Sequence, residues 1–275
     1  SIFNIFTTAM LLPFSKLLVK YAEKVIKTEA TPVEFEFLDE RLFKTPSVAL
    51  SECNHLTIDM AHIAKSALIS SMGTIFHYDE KIVKEIFEKE KQIDLYEDKL
   101  GSYLVKLASN DLSDSDSRQI SKLLHTIGDF ERIGDHAVNI VKVAQEISIK
   151  DIIFSEEGQK DIGVATKAVT EILNISIDAF DNNNVESAGS VEPLEQVIDG
   201  LIEQIKLRHI QRLQNGNCTI EHGFVLSDII TNYERVSDHC SNIAVAIIEL
   251  SKDSFETHEY LSKVKTMDNQ EFKEM

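Results

Sequence analysis

A chain of 275 residues is long enough to bury a sizeable core, and 4 prolines and 10 glycines leave few interruptions to long helices. With 46 acidic and 28 basic residues the formal charge is −18, which repels phosphate backbones, argues against a nucleic-acid partner, and suits cations or partners with basic faces. Three scattered cysteines, Cys53, Cys218 and Cys240, give neither a disulfide framework nor a zinc spacing, and a reducing compartment is the simplest setting.

Residues 2–14, "IFNIFTTAMLLPF", are apolar but shorter than the ~20 residues a bilayer span needs. Lys16, Lys20, Lys24 and Lys27 follow. Residues 1–26 read either as the positively flanked end of a transmembrane helix or as an amphipathic helix packed on the domain. The first reading expects residues 1–20 to leave an apolar face, Phe3, Phe6, Leu11 and Phe14, exposed on the isolated chain. Residues 27–45 form a connector that holds the Thr31-Pro32 pair, and Thr45 with Pro46, the second such pair, makes a helix start.

From there helical periodicity predicts six long helices, over about 46–77, 80–109, 117–148, 157–182, 185–214 and 220–251. The polar stretch "SNDLSDSD" separates the second and third. "DNNN" follows the fourth, Pro193 bends the fifth early, and "NGNC" stops it before Thr219 caps the sixth. The tail, 252–275, is polar. The fold class expected is all-α: two tandem, pseudo-symmetric three-helix bundles, 46–149 and 157–251. A repeat of about a hundred residues is too long for a solenoid and fits a duplicated bundle.

The duplication is written in the residues. Residues 129–140 read "DFERIGDHAVNI" and residues 232–243 read "NYERVSDHCSNI". Glu131 and Asp135, four apart, share a helix face with Asn139, beside the core stripe of Ile127, Gly134, Val138 and Val141. Small Gly134 would let a neighbouring helix approach; Ser237 holds that place in the second copy. The second helix carries Glu90 and Asp94 at the same spacing, the fifth carries Glu195 and Asp199, and the sixth carries Glu234 and Asp238. In antiparallel hairpins, Glu90 with Asp135 and Asp94 with Glu131 share a midpoint inside "SNDLSDSD". Glu195 with Asp238 and Asp199 with Glu234 share one at Gly216. Each quartet therefore falls at one level of its hairpin.

Four ionised carboxylates at one level repel one another, and cations relieve that repulsion. An oxygen-only set suits hard ions such as Mg²⁺, Mn²⁺ or Ca²⁺, with iron as a further candidate. A water-exposed acidic stripe, or a salt network through Arg132 and Arg235, is the alternative. His136 and His239, five residues after the Glu, are expected to point elsewhere. Glu52 and His55 make a lone Glu-x-x-His, short of the two that a di-iron site needs. No glycine-rich phosphate loop, nucleotide fingerprint or Ser-His-Asp arrangement is visible, so no catalytic residue and no enzyme is expected.

On these motifs the chain resembles the PhoU family of bacterial phosphate-uptake regulators, over roughly 46–251. "ERIGDHAVNI" is the most specific piece. The resemblance implies two three-helix repeats whose Glu/Asp-x-x-x-Asp motifs bind metal ions such as Mg, Mn or Fe, here at Glu90, Asp94, Glu131, Asp135, Glu195, Asp199, Glu234 and Asp238. The stretch "FNIFTTAMLLPFSKLLVKYAEKV" is also similar to the last membrane helix of bacterial sodium/phosphate cotransporters, some of which carry a C-terminal PhoU-like domain. That likeness implies a regulatory domain of such a transporter at the cell membrane, with residues 46–275 on the cytoplasmic side. Its partner would be its own upstream membrane domain, and a homodimer is a further expectation. The alternative implied is a free PhoU adaptor acting on a phosphate ABC transporter and a sensor kinase.

Overall fold

The computed structural model describes residues 38–251. The expectations for 1–26, for the first part of the connector and for the tail 252–275 lie outside the described residues. The last part of the connector forms a short 3-10 helix, Glu40–Lys44, capped by the Asp39 carboxylate. It is tied down: Tyr103 Oη donates to the Asp39 carbonyl at 2.9 Å, Lys106 Nζ to Glu40 at 2.6 Å, and the Phe43 and Tyr103 rings lie 4.9 Å apart.

The helices are α1 Pro46–Thr74, α2 Glu80–Ala108, α3 Asp114–Ile149, α4 Glu156–Asp181, α5 Val185–Gly189, α6 Val191–Gln214 and α7 Ile220–Ser251. Short polar side chains set the starts by accepting orphan backbone N–H groups: Asp79 for α2, Ser113 for α3, Ser155 for α4 and Asn184 for α5. Ser113, followed by Asp114 and Asp116, starts α3 three residues earlier than the expected 117, because acids in the first turn favour the positive helix end. Thr219 caps α7 through the His222 N–H at 3.4 Å. Thr45 precedes α1 without capping it, since its hydroxyl donates instead to the Leu42 carbonyl at 3.3 Å.

The fifth expected helix is two pieces. The chain breaks at Ser190 rather than bending at Pro193. Pro193 sits in the first turn of α6, where a missing N–H breaks no intrahelical bond. The α6–α7 turn needs its glycine. Gly216 has φ 72°, its N–H bonds to the Leu213 carbonyl at 3.1 Å, and the Asn217 N–H bonds to the Arg212 carbonyl at 2.9 Å.

Helices α1, α2 and α3 pack together as one bundle, and α4, α6 and α7 as a second; α3 lies against α7, and α1 against α4, where the bundles meet. Fully buried Phe130 of α3 meets Phe180 of α4 edge-on, centroids 5.2 Å apart. Burial of each such ring stabilises by about 2–3 kcal/mol. Lys122, also buried, reaches across the same seam to Asn183 Oδ1 at 2.9 Å and lies over the Phe180 ring. The fold is the expected all-helical duplication.

Candidate functional site

The motif acids sit on paired helices in each bundle. Glu90 and Asp94 come from α2 and face Glu131 and Asp135 of α3; Glu195 and Asp199 come from α6 and face Glu234 and Asp238 of α7. The close approach of α2 to α3 depends on Gly134, where an added Cβ would lie 2.9 Å from Ile93 Cδ1. Matching positions share their burial: the four glutamates and the α3 and α7 aspartates are partly covered, while Asp94 and Asp199 are exposed.

Acids of the paired helices act on one another's charge. Burial, then its Arg-bridged neighbour Asp135, pushes Glu131 up to about 7, with Asp94 and Glu97 adding to the rise. Burial followed by Asp94 and Asp135 raises Glu90, and burial followed by Asp135 raises Asp94. In the second repeat, burial followed by Glu234 and Asp238 raises Asp199. Carboxyls held above their ordinary range by burial, and further by one another, are sites of unrelieved negative charge.

Arginine gives partial relief. Arg132 reaches Glu131 at 3.4 Å and Asp135 at 3.1 Å, and Arg235 reaches Asp238 at 3.4 Å. Lys206 meets Glu234 at 3.2 Å. Among the described residues, in this side-chain arrangement, no three His, Cys, Asp or Glu close to metal-ligand geometry. The donor set fits a hard cation by chemistry, while ligation requires the arginines to turn outward. Both are more than half exposed, at 60% and 64% of their side chains, so that movement meets little packing.

Some residues here were not picked out from the sequence. Glu192 is buried beside the second quartet, accepts the Ser241 hydroxyl at 2.6 Å, and shares a cleft of about 440 Å³ with Glu195, Arg235 and Asp238. Its place, three before Glu195 at helical spacing, was the available signal. His136 and His239 hydrogen-bond to the opposite bundle, while His239 also lines the cleft of Glu192, Glu195 and Asp238. His136 Nδ1 donates to Asn232 Oδ1 at 2.8 Å, and His239 Nδ1 donates to Asp129 Oδ1 at 2.9 Å. Asn232 is the residue that Asp129 becomes in the second copy, so the two bonds are reciprocal. Burial, the largest effect on it, lowers the pKa of His136. Glu52 and His55 lie on α1, which carries none of the quartet acids.

Comparison with known proteins identifies the family and the fold. The PhoU domain matches twice, at residues 57–144 and 165–247. A protein of Zymomonas mobilis described as a phosphate-specific transport system accessory protein PhoU homolog is 26% identical over 192 residues, covering 69% of this chain and 79% of the relative. A homolog of the same description from Aquifex aeolicus is 24% identical over 228 residues, 81% of this chain and 98% of its own. Both are described as accessory proteins of a phosphate-specific transport system. The crystal structure of the phosphate transport system regulatory protein PhoU from Streptococcus pneumoniae superposes with a TM-score of 0.67 at 18% identity, over 76% of this chain and 98% of that one, and shares the fold. With both repeats matched, and with paired acidic hairpins in each, the chain belongs to the PhoU domain family and carries two copies of its domain.

Proposed function

We propose that this chain is a regulator of phosphate transport that works by contact rather than catalysis and binds divalent or transition metal ions, Mg²⁺, Mn²⁺ or iron, at its two acidic quartets. The observation that carries the reading is their equivalence. The same residue types recur at matching burial on the paired helices of both repeats, with carboxyls raised by burial and by one another. A bound cation would supply the missing positive charge and tie α2 to α3 and α6 to α7, stiffening the face offered to a partner. The relatives' description as accessory proteins of a phosphate-specific transport system supports membrane transport machinery as that partner, met from the cytoplasmic side. The −18 charge speaks against nucleic acid. Association into a homodimer belongs to the same proposal.

A second reading attaches the domain to a sodium/phosphate cotransporter. It is favoured by the apolar residues 2–14 followed by Lys16, Lys20, Lys24 and Lys27. No helix among the described residues is long and apolar enough to cross a membrane, so any span would lie elsewhere. Fractionating host cells separates the two readings: an integral-membrane protein resistant to alkaline extraction supports attachment, and a readily washed protein supports the free adaptor.

Calorimetric titration of the whole chain with Mg²⁺, Mn²⁺ and Fe²⁺ tests metal binding, alongside the double variant Asp135→Asn/Asp238→Asn. Saturable heats that weaken in the variant support the site. Identical responses to every ion would leave the quartets as solvated acid stripes bridged by arginine.

A further inference from the structure

We infer a second ligand site, for a phosphoryl oxyanion, in the cleft between α4 and the C-terminal turns of α6. It lies roughly 20 Å along α6 from Asp199, at ~1.5 Å per residue. The cleft is about 620 Å³ and is lined by Lys160, Asp161, Arg208, Arg212, Asn215 and Asn217. Three cations against Asp161 and the nearby Glu157 leave it net positive, in a chain whose formal charge is −18.

The cations are held in place. Arg212 is only 6% exposed, and its Nη1 donates to Asp161 Oδ2 at 2.8 Å. Arg208 Nε meets the other oxygen of the same carboxylate at 3.0 Å. One buried acid therefore orients two guanidiniums on one wall. Arg212 Nη2 is buried with no acceptor. That atom is enclosed by protein, so the cations an anion in the cleft would meet are Arg208 and Lys160. Guanidinium forks match phosphoryl oxygens in geometry as well as charge. The turn at Gly216 adds two amide side chains, Asn215 and Asn217, to the rim.

Glu157 refines the assignment. It is exposed and lines the same cleft. A carboxylate beside an anion site repels a fully deprotonated oxyanion but accepts the proton of a P–O–H group. Hydrogen phosphate carries that proton at neutral pH, a phosphate monoester only in its minor protonated form, and sulfate not at all. The volume admits free phosphate or a small esterified one. Neither the site nor its test depends on metal binding at the quartets.

Thermal melts of the full chain decide, in EDTA and at matched ionic strength, with inorganic phosphate, glycerol 3-phosphate, sulfate or chloride. Phosphate or its ester should raise the Tm saturably, and sulfate should do so far less. Whichever of phosphate and ester acts at lower concentration identifies the form of ligand. Arg208→Gln, on an exposed side chain that folding tolerates, should weaken the effect about tenfold. Lys160→Gln should weaken it too, and Lys81→Gln, an exposed cation on α2, should leave it unchanged. The proposal is overturned if phosphate and ester do no more than chloride, if sulfate matches them, or if Arg208→Gln responds as the wild type does.

Discussion

His136 and His239 face one another across the seam between the bundles, ring centroids 5.6 Å apart, each donating through Nδ1 to the residue that opens the other's motif. Across the seam Asp129 does more than Asn232, whose Nδ2 donates within its own helix to the Asp228 carbonyl. Asp129 also accepts from Asn242 Nδ2 at 3.2 Å. Asp129→Ala severs both contacts and is expected to cost about 1–3 kcal/mol in urea unfolding. Asn139→Ala, at the position matching Asn242, should cost less than half as much. Equal losses would show that the seam does not depend on this pair.

The tight approach at Gly134 predicts non-additive energetics. Gly134→Ala gains helix propensity but drives a methyl into Ile93 Cδ1, and Ile93→Val alone loses about 0.5–1.5 kcal/mol. Combined, the valine vacates the space the alanine needs, so the double variant should be more stable than the sum of the singles by about 1 kcal/mol. Gly128→Ala, which meets nothing within 4 Å, should stabilise by about 0.5–1 kcal/mol. Strict additivity in the double variant would contradict the packing described.

Glu131 sets a pH dependence. Its folded pKa, near 7, stands above that of the unfolded chain, so the folded state holds the extra proton. Without metal, the stability contribution of Glu131 is present below the unfolded glutamate pKa and is lost as pH rises through about 7. His136, lowered by burial, acts in the opposite sense, losing stability as pH falls through the ordinary histidine range. The comparison must therefore be with Glu131→Gln: wild type should lose stability relative to that variant between about pH 5 and 8. A saturating divalent cation should remove much of the loss. A constant gap across that range would refute the assignment.

Thiol chemistry gives an independent check on the core. Burial, the main cause for each, pushes Cys53 and Cys240 up to about 12, whereas Cys218 is half-exposed in the α6–α7 turn region. A thiol reagent at pH 8 should modify Cys218 in the native protein and reach Cys53 and Cys240 only after denaturation. Rapid native modification of all three would mean that one bundle opens readily.

Local signals were legible. Apolar periodicity and short polar caps placed the helices, and the shared hairpin midpoints set Glu90 against Asp135 and Glu195 against Asp238 as an expectation. What the sequence hid was long-range. His136 could be read as turned away from the quartet, but nothing near it in the chain names Asn232 as its partner. Asp161 and Arg212 lie on helices whose facing turns only packing decides. Ser190 was masked by the stronger breaker, Pro193, whose position in the first turn makes it harmless.

The reciprocal seam also bears on how such a chain could arise. Swap the two bundles and the two histidine bonds exchange places, as they would between two identical half-length subunits related by a two-fold axis. Joined covalently, the halves meet at an effective concentration no pair of free subunits reaches, so a seam too weak to hold a dimer suffices within one molecule. Tethering also freed the halves to diverge. With aspartate on one side and asparagine on the other, left and right are chemically distinct, and a partner docking across the seam can bind in one orientation rather than two.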